Sequence, residues 1–412
     1  MAEYILIPKR DRELSLGKPI ARGMTPSTRH ENIEAKLEWL SKDEVAGPVH
    51  ETLEKSRSKI GIKILRSPVD KSTYSLNGEI EAEEDALPAL LKAFPQMHVI
   101  PDRKVNFIFP KFKEKTTQNL HDSQPWHFNN INFENYIKQS EPIYGTGFQV
   151  AVLDTGVEKY SQVGHNIADQ FVFDGLNYNR RTEDDEKVIF WHGTAVSELI
   201  SGPKSGIAKN CQLVDIAMIP YDEGFLSWFT KAFEKAQTIS SISVINCSAG
   251  VDIKQSEIKG FSDLLWNIRD DGILPVSAIG PSPVNCTRIP ACLSPSLTVS
   301  SIDAKNELQS NPSHSMCTYD GNSFNKPDLV APGINVISSI NANDYEEMTG
   351  SSFAAPIISG LAILLLEQYG DLTPDDLQKL IIQNCIKLNV DAGKQGAGRI
   401  TYPSPPPLGL VG

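Results

Sequence analysis

Three short stretches hold side chains capable of nucleophilic chemistry. QVAVLDTGV closes an apolar run on Asp154, just before a glycine turn. IFWHGTAVSELISG sets His192 ahead of a Gly-Thr pair and an apolar helical pattern. TGSSFAAPIISGLAILLLEQYG places Ser351 and Ser352 at the mouth of a second apolar helix. Each feature has a plain structural use: an Asp caps a turn, a histidine bonds a helix cap, and one serine serves as an N-cap. A second serine is not explained by capping. Ala354, Ala355 and Gly360 keep that helix narrow, so other segments can approach it closely. A hydroxyl, a base to take its proton and a carboxylate to hold the base are the set that acyl transfer needs. At a helix N-terminus the dipole favours a neutral, proton-accepting imidazole.

These residues need elements to position them. From residue 143 onward, short apolar runs alternate with helical patterns. FQVAVLDTG, CQLVDIAMI, SVINCSAG, GILPVSAIG and SLTVSSID read as strands; TAVSELIS, FLSWFTKAFEKAQT and IKGFSDLLWNIRDD read as helices. Such alternation implies an α/β unit with a parallel sheet covered on both faces. Functional groups gather at the carboxyl ends of its strands. Upstream, residues 59–110 form a small α+β pattern. KIGIKILRSP and STYSL are strands, EEDALPALLKAFP a helix, and MHVIPDRKVNFIFP two more strands. A unit of that size is small for independent stability. KFKEKTTQNLHDSQPW reads as an exposed linker. Residues 1–58 are charged, with one helical stretch, ENIEAKLEWLSKDEVA, and a short strand at YILIP. The expected division is an extension (1–58), an α+β unit (59–110), a linker (111–123) and an α/β domain (124–412).

Charge separates the same regions. The chain of 412 residues carries a net charge of -12, which argues against nucleic acid as a partner. Residues 1–120 hold 20 Lys and Arg against 18 Asp and Glu; residues 121–412 hold 19 against 33. That contrast suggests two units of different character. The N-terminus lacks the apolar run of a signal peptide, and AILLLEQ is cut short of a membrane span by polar residues. The expectation is a cytoplasmic protein with no membrane partner. Of six cysteines, Cys247 sits in an apolar run and is expected to be a buried thiol. Cys286 and Cys292 are close enough in sequence to bridge, although a reducing compartment disfavours it. No His and Cys spacing suits a metal site.

The order Asp154, His192, Ser352 resembles the subtilisin-like serine peptidases. The likeness rests on AVLDTGV, HGT, KPDLVAPG at 326–333 and GSSFAAP, supported by GIAKNCQL, VINCSAG and GILPVSAIG. It runs from about 124 to 400. It implies a three-layer α/β fold with a mostly parallel central sheet, preceded by a small α+β propeptide-like domain. It also implies Ser352 as nucleophile, His192 as base then acid, and Asp154 as the orienting carboxylate. Ser351 falls where the family usually has a threonine. Ser248, Ala249 and Gly250 match the segment that pairs with an extended peptide or protein substrate as an added strand. Ala278, Ile279 and Gly280 would form the other wall of the primary pocket. The Ser352 N–H would face a developing oxyanion. No cofactor is implied.

The chain also departs from that pattern. Pro281 stands where the family has an asparagine whose amide donates to the oxyanion; proline has neither side-chain donor nor N–H. Loss of that donor costs roughly 10²–10³ in turnover, the scale known from subtilisin. Asn285 could replace it if the loop bulges. Ala195 replaces a second histidine, and ELISGPKSGIAKN lacks the loop of a high-affinity calcium site. The acidic run at 183–186 offers carboxylates to Ca²⁺ but reads equally as a solvated loop. Residues 59–110 would be an intramolecular propeptide, with self-cleavage in 111–123, or a fixed accessory domain. Three activities remain open: an endopeptidase made as a zymogen, a silenced relative that binds peptides, and a peptide ligase or cyclase. The acidic domain would mildly favour basic peptides, an effect weakened by salt.

Overall fold

The computed structural model describes residues 1–10, 43–67, 77–109, 123–133, 142–173, 177–182, 191–219, 223–280, 288–309, 315–319, 321–342 and 344–402. Pro281, Asn285, Cys286, the STYSL strand, the acidic run 183–186 and all of the 111–123 segment but Ser123 lie outside these residues.

The N-terminal unit holds strands β1 (Ala2–Pro8), β2 (Lys63–Arg66), β3 (Gly78–Ala82), β4 (Met97–Pro101) and β5 (Lys104–Ile108), with helices α1 (Asp43–Lys59) and α2 (Leu87–Ala93). The larger unit follows with β6 (Gln149–Asp154), β7 (Ile167–Phe173), β8 (Tyr178–Arg180), α3 (Trp191–Ser201), β9 (Gln212–Ala217), β10 (Glu223–Phe225) and α4 (Leu226–Gln237). Next come β11 (Ile242–Cys247), β12 (Gly250–Asp252), α5 (Ile258–Asp270), β13 (Leu274–Ala278), β14 (Arg288–Ile289) and β15 (Leu297–Ile302). Two hairpins, β16 (Ser315–Tyr319) with β17 (Asn322–Lys326) and β19 (Val336–Ser339) with β20 (Tyr345–Met348), flank β18 (Leu329–Pro332). Helices α6 (Ser351–Tyr369) and α7 (Pro374–Gln383) and strands β21 (Cys385–Ile386) and β22 (Arg399–Ile400) complete it.

Among the described residues, ten strands form one sheet in the order β21-β22-β18-β15-β13-β11-β6-β9-β7-β8. It is parallel throughout except at its two edge pairs, β7–β8 and β21–β22. Strands β11, β13 and β15 are buried at every residue, and β6 and β9 at all but the first. A strand with no polar face to offer water must be covered on both sides. The pleat divides β6 accordingly. Val150 and Val152 pack with Leu199 of α3 and Ile358 of α6, while Ala151 and Leu153 pack with Phe229 of α4 and Phe261 of α5. Helix α6 is buried from Ser351 to Leu366, enclosed by the sheet and α3. It is longer than the interrupted run AILLLEQ suggested. By length and composition it would suffice to cross a bilayer, yet 89% of that stretch is buried inside the fold.

The N-terminal sheet runs β2-β3-β1-β4 and is antiparallel. Strand β1 thus crosses the expected boundary at residue 58 and lies between β3 and β4. Its apolar run is explained by two cores. Tyr4 and Leu6 face Leu53, Leu90 and Phe94 of their own unit, while Ile5 and Ile7 face the core under α4 and α5. Helix α1 likewise continues beyond the expected end of its pattern at residue 46, because its later turns carry Leu53 into that first core.

Basic side chains of the N-terminal unit meet acids of the larger one. Arg10 pairs with Asp270 at 2.8 Å, Arg66 with Glu234 at 2.7 Å, Arg103 with Glu257 at 2.9 Å, and His98 with Asp263 at 2.8 Å. Asp102 accepts the Ser227 N–H at 2.9 Å and so caps α4, whose own N-cap residue makes no side-chain cap. Arg66 is largely buried between Glu79 and Glu234. Arg66→Ala removes the guanidinium from both carboxylates, leaving Glu79 with Lys231 at 2.9 Å and Glu234 with the Asn77 N–H at 3.3 Å, and is expected to cost about 3 kcal/mol. Urea unfolding is the measurement, and an unchanged midpoint would refute this account of the docking.

Candidate active site

Asp154 ends β6 without exposure. A buried carboxylate must find donors. Its Oδ1 accepts the Thr155 N–H at 2.7 Å and lies 2.6 Å from His192 Nδ1. His192 is the second residue of α3, and two hydroxyls tie that helix start to the turn after β6. Thr155 Oγ1 accepts the Gly193 N–H at 3.0 Å, and Thr194 Oγ1 accepts the Glu158 N–H at 2.9 Å. Gly193 is required by the closeness of this approach, since a methyl group there would collide with the Gly156 carbonyl. The His192 ring is fully buried, with Phe109, Trp191 and Phe353 at centroid distances of 5.8, 5.2 and 5.5 Å. Its Nε2 has no hydrogen-bond partner.

Ser352 is the second residue of α6. Pro356 lies four residues on and lacks the N–H that would bond the Ser352 carbonyl within the helix. Ser248 Oγ fills the gap, donating to Ser352 O at 2.8 Å, and Ser352 Oγ donates in return to Ser248 O at 2.8 Å. Asn246 Nδ2 holds Ser248 Oγ at 3.0 Å, and Ser359 Oγ holds Asn246 Oδ1 at 2.9 Å. These bonds lock the end of β11 onto α6. Neither serine caps α6, whose N-cap position is Gly350 with no side-chain cap; Ser351 Oγ accepts the Gly280 N–H at 3.0 Å and pins the second wall to the same helix.

A cavity of about 200 Å³ opens beside Ser352. Of the expected wall residues, Ser248, Ala249, Gly250, Ala278 and Gly280 line it. Ile279 does not, which corrects the expectation for that residue. Strand alternation turns it away; it is 5% exposed and its N–H bonds the Val299 carbonyl at 3.0 Å. The edge expected to receive an added strand is already paired. β5 lies between β10 and β12, antiparallel to both, with Ile108 opposite Gly250 and Phe107 opposite Val251. The next residue, Phe109, reaches the cavity and the His192 ring. Sequence reading did not give this β5–β12 pairing, because it joins residues more than 140 positions apart.

Asp215 also escaped the sequence reading. It follows Leu213 and Val214 as the fourth residue of β9, pairs in register with Val152, and is fully buried. The Val157 N–H and Gln170 Nε2 both donate to its Oδ2 at 2.9 Å. Burial dominates those bonds and, with Asp154 nearby, pushes the carboxyl up to about 7. Cys247 is buried, which pushes its thiol up to about 12. Among the described residues no group of three or more His, Cys, Asp or Glu is placed to hold a metal ion.

Comparison with known proteins bears on the same region. The family described as the subtilase family, Peptidase S8, matches residues 145–398. The chain is 24% identical over 282 residues to Subtilisin-like protease PopC of Myxococcus xanthus, covering 61% of this chain and 58% of that protein. It is 30% identical over 266 residues to Halolysin of Haloferax mediterranei, covering 61% and 47%. The matches span about half the length of these curated relatives. A solved structure of Epidermin Leader Peptide Processing Serine Protease (EpiP) from Staphylococcus aureus superposes with a TM-score of 0.66. It covers 98% of this chain and 97% of that one at 16% identity, a likeness of fold alone.

The Asp215 environment yields a pH prediction. Its folded value lies near 7 and its ordinary value is 3.8, so between those limits the folded chain holds a proton that the unfolded chain has lost. This group's contribution to stability therefore falls as pH rises from about 4 to about 7 and is level above. Asp215→Asn keeps an acceptor for Val157 and Gln170 without that ionisation. Its gain in thermal midpoint over the wild type should grow from pH 4 to pH 7 and then stay constant. A gain that does not vary with pH would show that Asp215 is not the group responsible.

Proposed function

From the premise that the chain belongs to the subtilase family, we propose that it is a serine endopeptidase made as a zymogen, hydrolysing peptide bonds through an acyl-enzyme on Ser352. The observation that carries this reading is the buried Asp154–His192 pair, 2.6 Å apart, with His192 Nε2 unbonded and its ring 5.5 Å from that of Phe353, the neighbour of Ser352. Asp154 fixes the tautomer with the proton on Nδ1, leaving Nε2 to accept the Ser352 proton as Oγ attacks a carbonyl. Nε2 then returns that proton to the leaving amine, and water repeats the cycle on the acyl-enzyme. The α6 N-terminus, with the Ser352 N–H, faces the developing oxyanion.

Ser352 Oγ must first leave Ser248 O, a rotation about one side-chain torsion. That rotation frees the Ser248 carbonyl to accept an N–H from an extended substrate, continuing the strand pairing already made at Gly250. Substrate arrival and nucleophile release are thereby coupled.

The N-terminal unit is then a propeptide that fills its own enzyme's cleft. Three observations support this: β5 occupies the substrate edge, Phe109 covers His192, and the docking surface pairs Arg10, Arg66, Arg103 and His98 with acids. Ile108 and Phe109 line the cavity that Ser352 lines, and the 111–123 linker that follows them in sequence is the segment we assign to self-cleavage.

Intact masses of the full chain and of its Ser352→Ala variant test this. The wild type should split between residues 111 and 123 while the variant stays whole. If both stay whole and a fluorophosphonate fails to label Ser352, the peptidase reading falls and a peptide-binding relative replaces it. In an active enzyme, Asp154→Asn should lower turnover about 10⁴-fold by leaving His192 in the wrong tautomer.

A further inference from the structure

The cavity beside Ser352 has a charged wall that neither the acyl-transfer residues nor the strand pairing requires. Arg288 opens β14, and its side chain is only 13% exposed. It crosses the cavity between the two walls. A methyl group built on Gly250 would lie 3.2 Å from Arg288 Cγ, and one on Gly280 would lie 3.3 Å from Cδ and 3.5 Å from Nη1. Two glycines thus make room for one arginine. Asp252 holds the guanidinium side-on, accepting from Nε at 3.2 Å and from Nη2 at 3.3 Å. The Asp252 side chain is half exposed at 48%, so its partner's charge is balanced from the solvent side. Among the described residues lining the cavity, Arg288 alone carries a charge.

We infer that Arg288 selects an acidic side chain, glutamate or aspartate, on the residue whose carbonyl Ser352 attacks. The inference rests on the peptidase reading above and names its substrate class. A guanidinium presents planar donors matched to a carboxylate, and such charge-assisted bonds are about twice as strong as neutral ones. A lysine or arginine in the same place meets a fixed cation with no carboxylate among the described residues lining the cavity, which is discrimination by repulsion. Bulky aromatic side chains meet the Arg288 stem lying across the space. The acidic surface pulls the opposite way and draws basic peptides toward the molecule, but that field is screened over about 8 Å at physiological salt. Contact inside the cavity decides which bond is cut.

The test digests a proteome-derived peptide mixture with the full-length protein and maps the cut bonds by mass spectrometry, beside Arg288→Leu, Arg288→Lys and Asp252→Asn. Wild type should cut after Glu and Asp at least tenfold more often than after Lys and Arg. Arg288→Leu should abolish that excess, Arg288→Lys should retain part of it, and Asp252→Asn should raise it. Fluorophosphonate labelling of Ser352 in each variant separates the possible failures. A labelled enzyme that cuts without regard to charge, or an excess that persists in Arg288→Leu, overturns the assignment of Arg288 and leaves the peptidase reading intact. A wild type that neither labels nor cuts overturns both.

Discussion

A carboxylate removed from water at the end of a fully buried strand is the constraint around which this molecule is organised. Asp154 cannot be left unpaired, because isolating that charge would cost several kcal/mol. The Thr155 N–H and the His192 ring supply its partners. Meeting that demand brings α3 end-on to the turn after β6, with Gly193 too small to obstruct and two threonine hydroxyls bracing the contact. The same arrangement leaves one imidazole nitrogen bare in an apolar setting. A proton acceptor is thus a by-product of satisfying a buried acid.

Helix α6 meets a related demand by a different route. Its all-round apolar surface lets it run through the centre of the fold, and Pro356 removes one of its internal hydrogen bonds. The orphaned Ser352 carbonyl recruits Ser248, and Ser248 recruits Ser352 in return. Sheet end and helix start become one unit. The proline that looks like a defect in a helical pattern is what ties the Ser352 backbone to the segment that follows β11.

The N-terminal unit depends on the larger one for both apolar cover and charge. Strand β1 gives one face to its own core and the other to the core under α4 and α5. Asp102 caps a helix that has no cap of its own. The ion pairs are partly buried and join separate units, so they specify which surface meets which more than they add net stability. Opposite charge balances on the two halves of the chain are the sequence-level trace of that surface.

Local physics made much of this legible from the sequence. Continuous apolar runs imply strands covered on both faces, serines and glycines mark helix starts, and the order of Asp154, His192 and Ser352 along alternating elements singles out the set proposed to react. All of that is carried by neighbours in the chain. What depended on distant partners was hidden. Ile279 and Gly280 are adjacent, yet only the pleat decides which faces the cavity. Asp215 looks like any polar residue in a strand until burial beside Asp154 shifts its ionisation. Arg288 is an ordinary surface type until Gly250 and Gly280, from two other segments, leave the space it crosses. The YILIP run reads as a strand, but its two-faced role needs a second core that includes Phe229 and Phe261, more than 200 positions away. The sequence determined which groups could react and in what order they occur. Tertiary structure alone decided what fills the cleft and what lines it, because those contacts depend on segments whose approach no local pattern encodes.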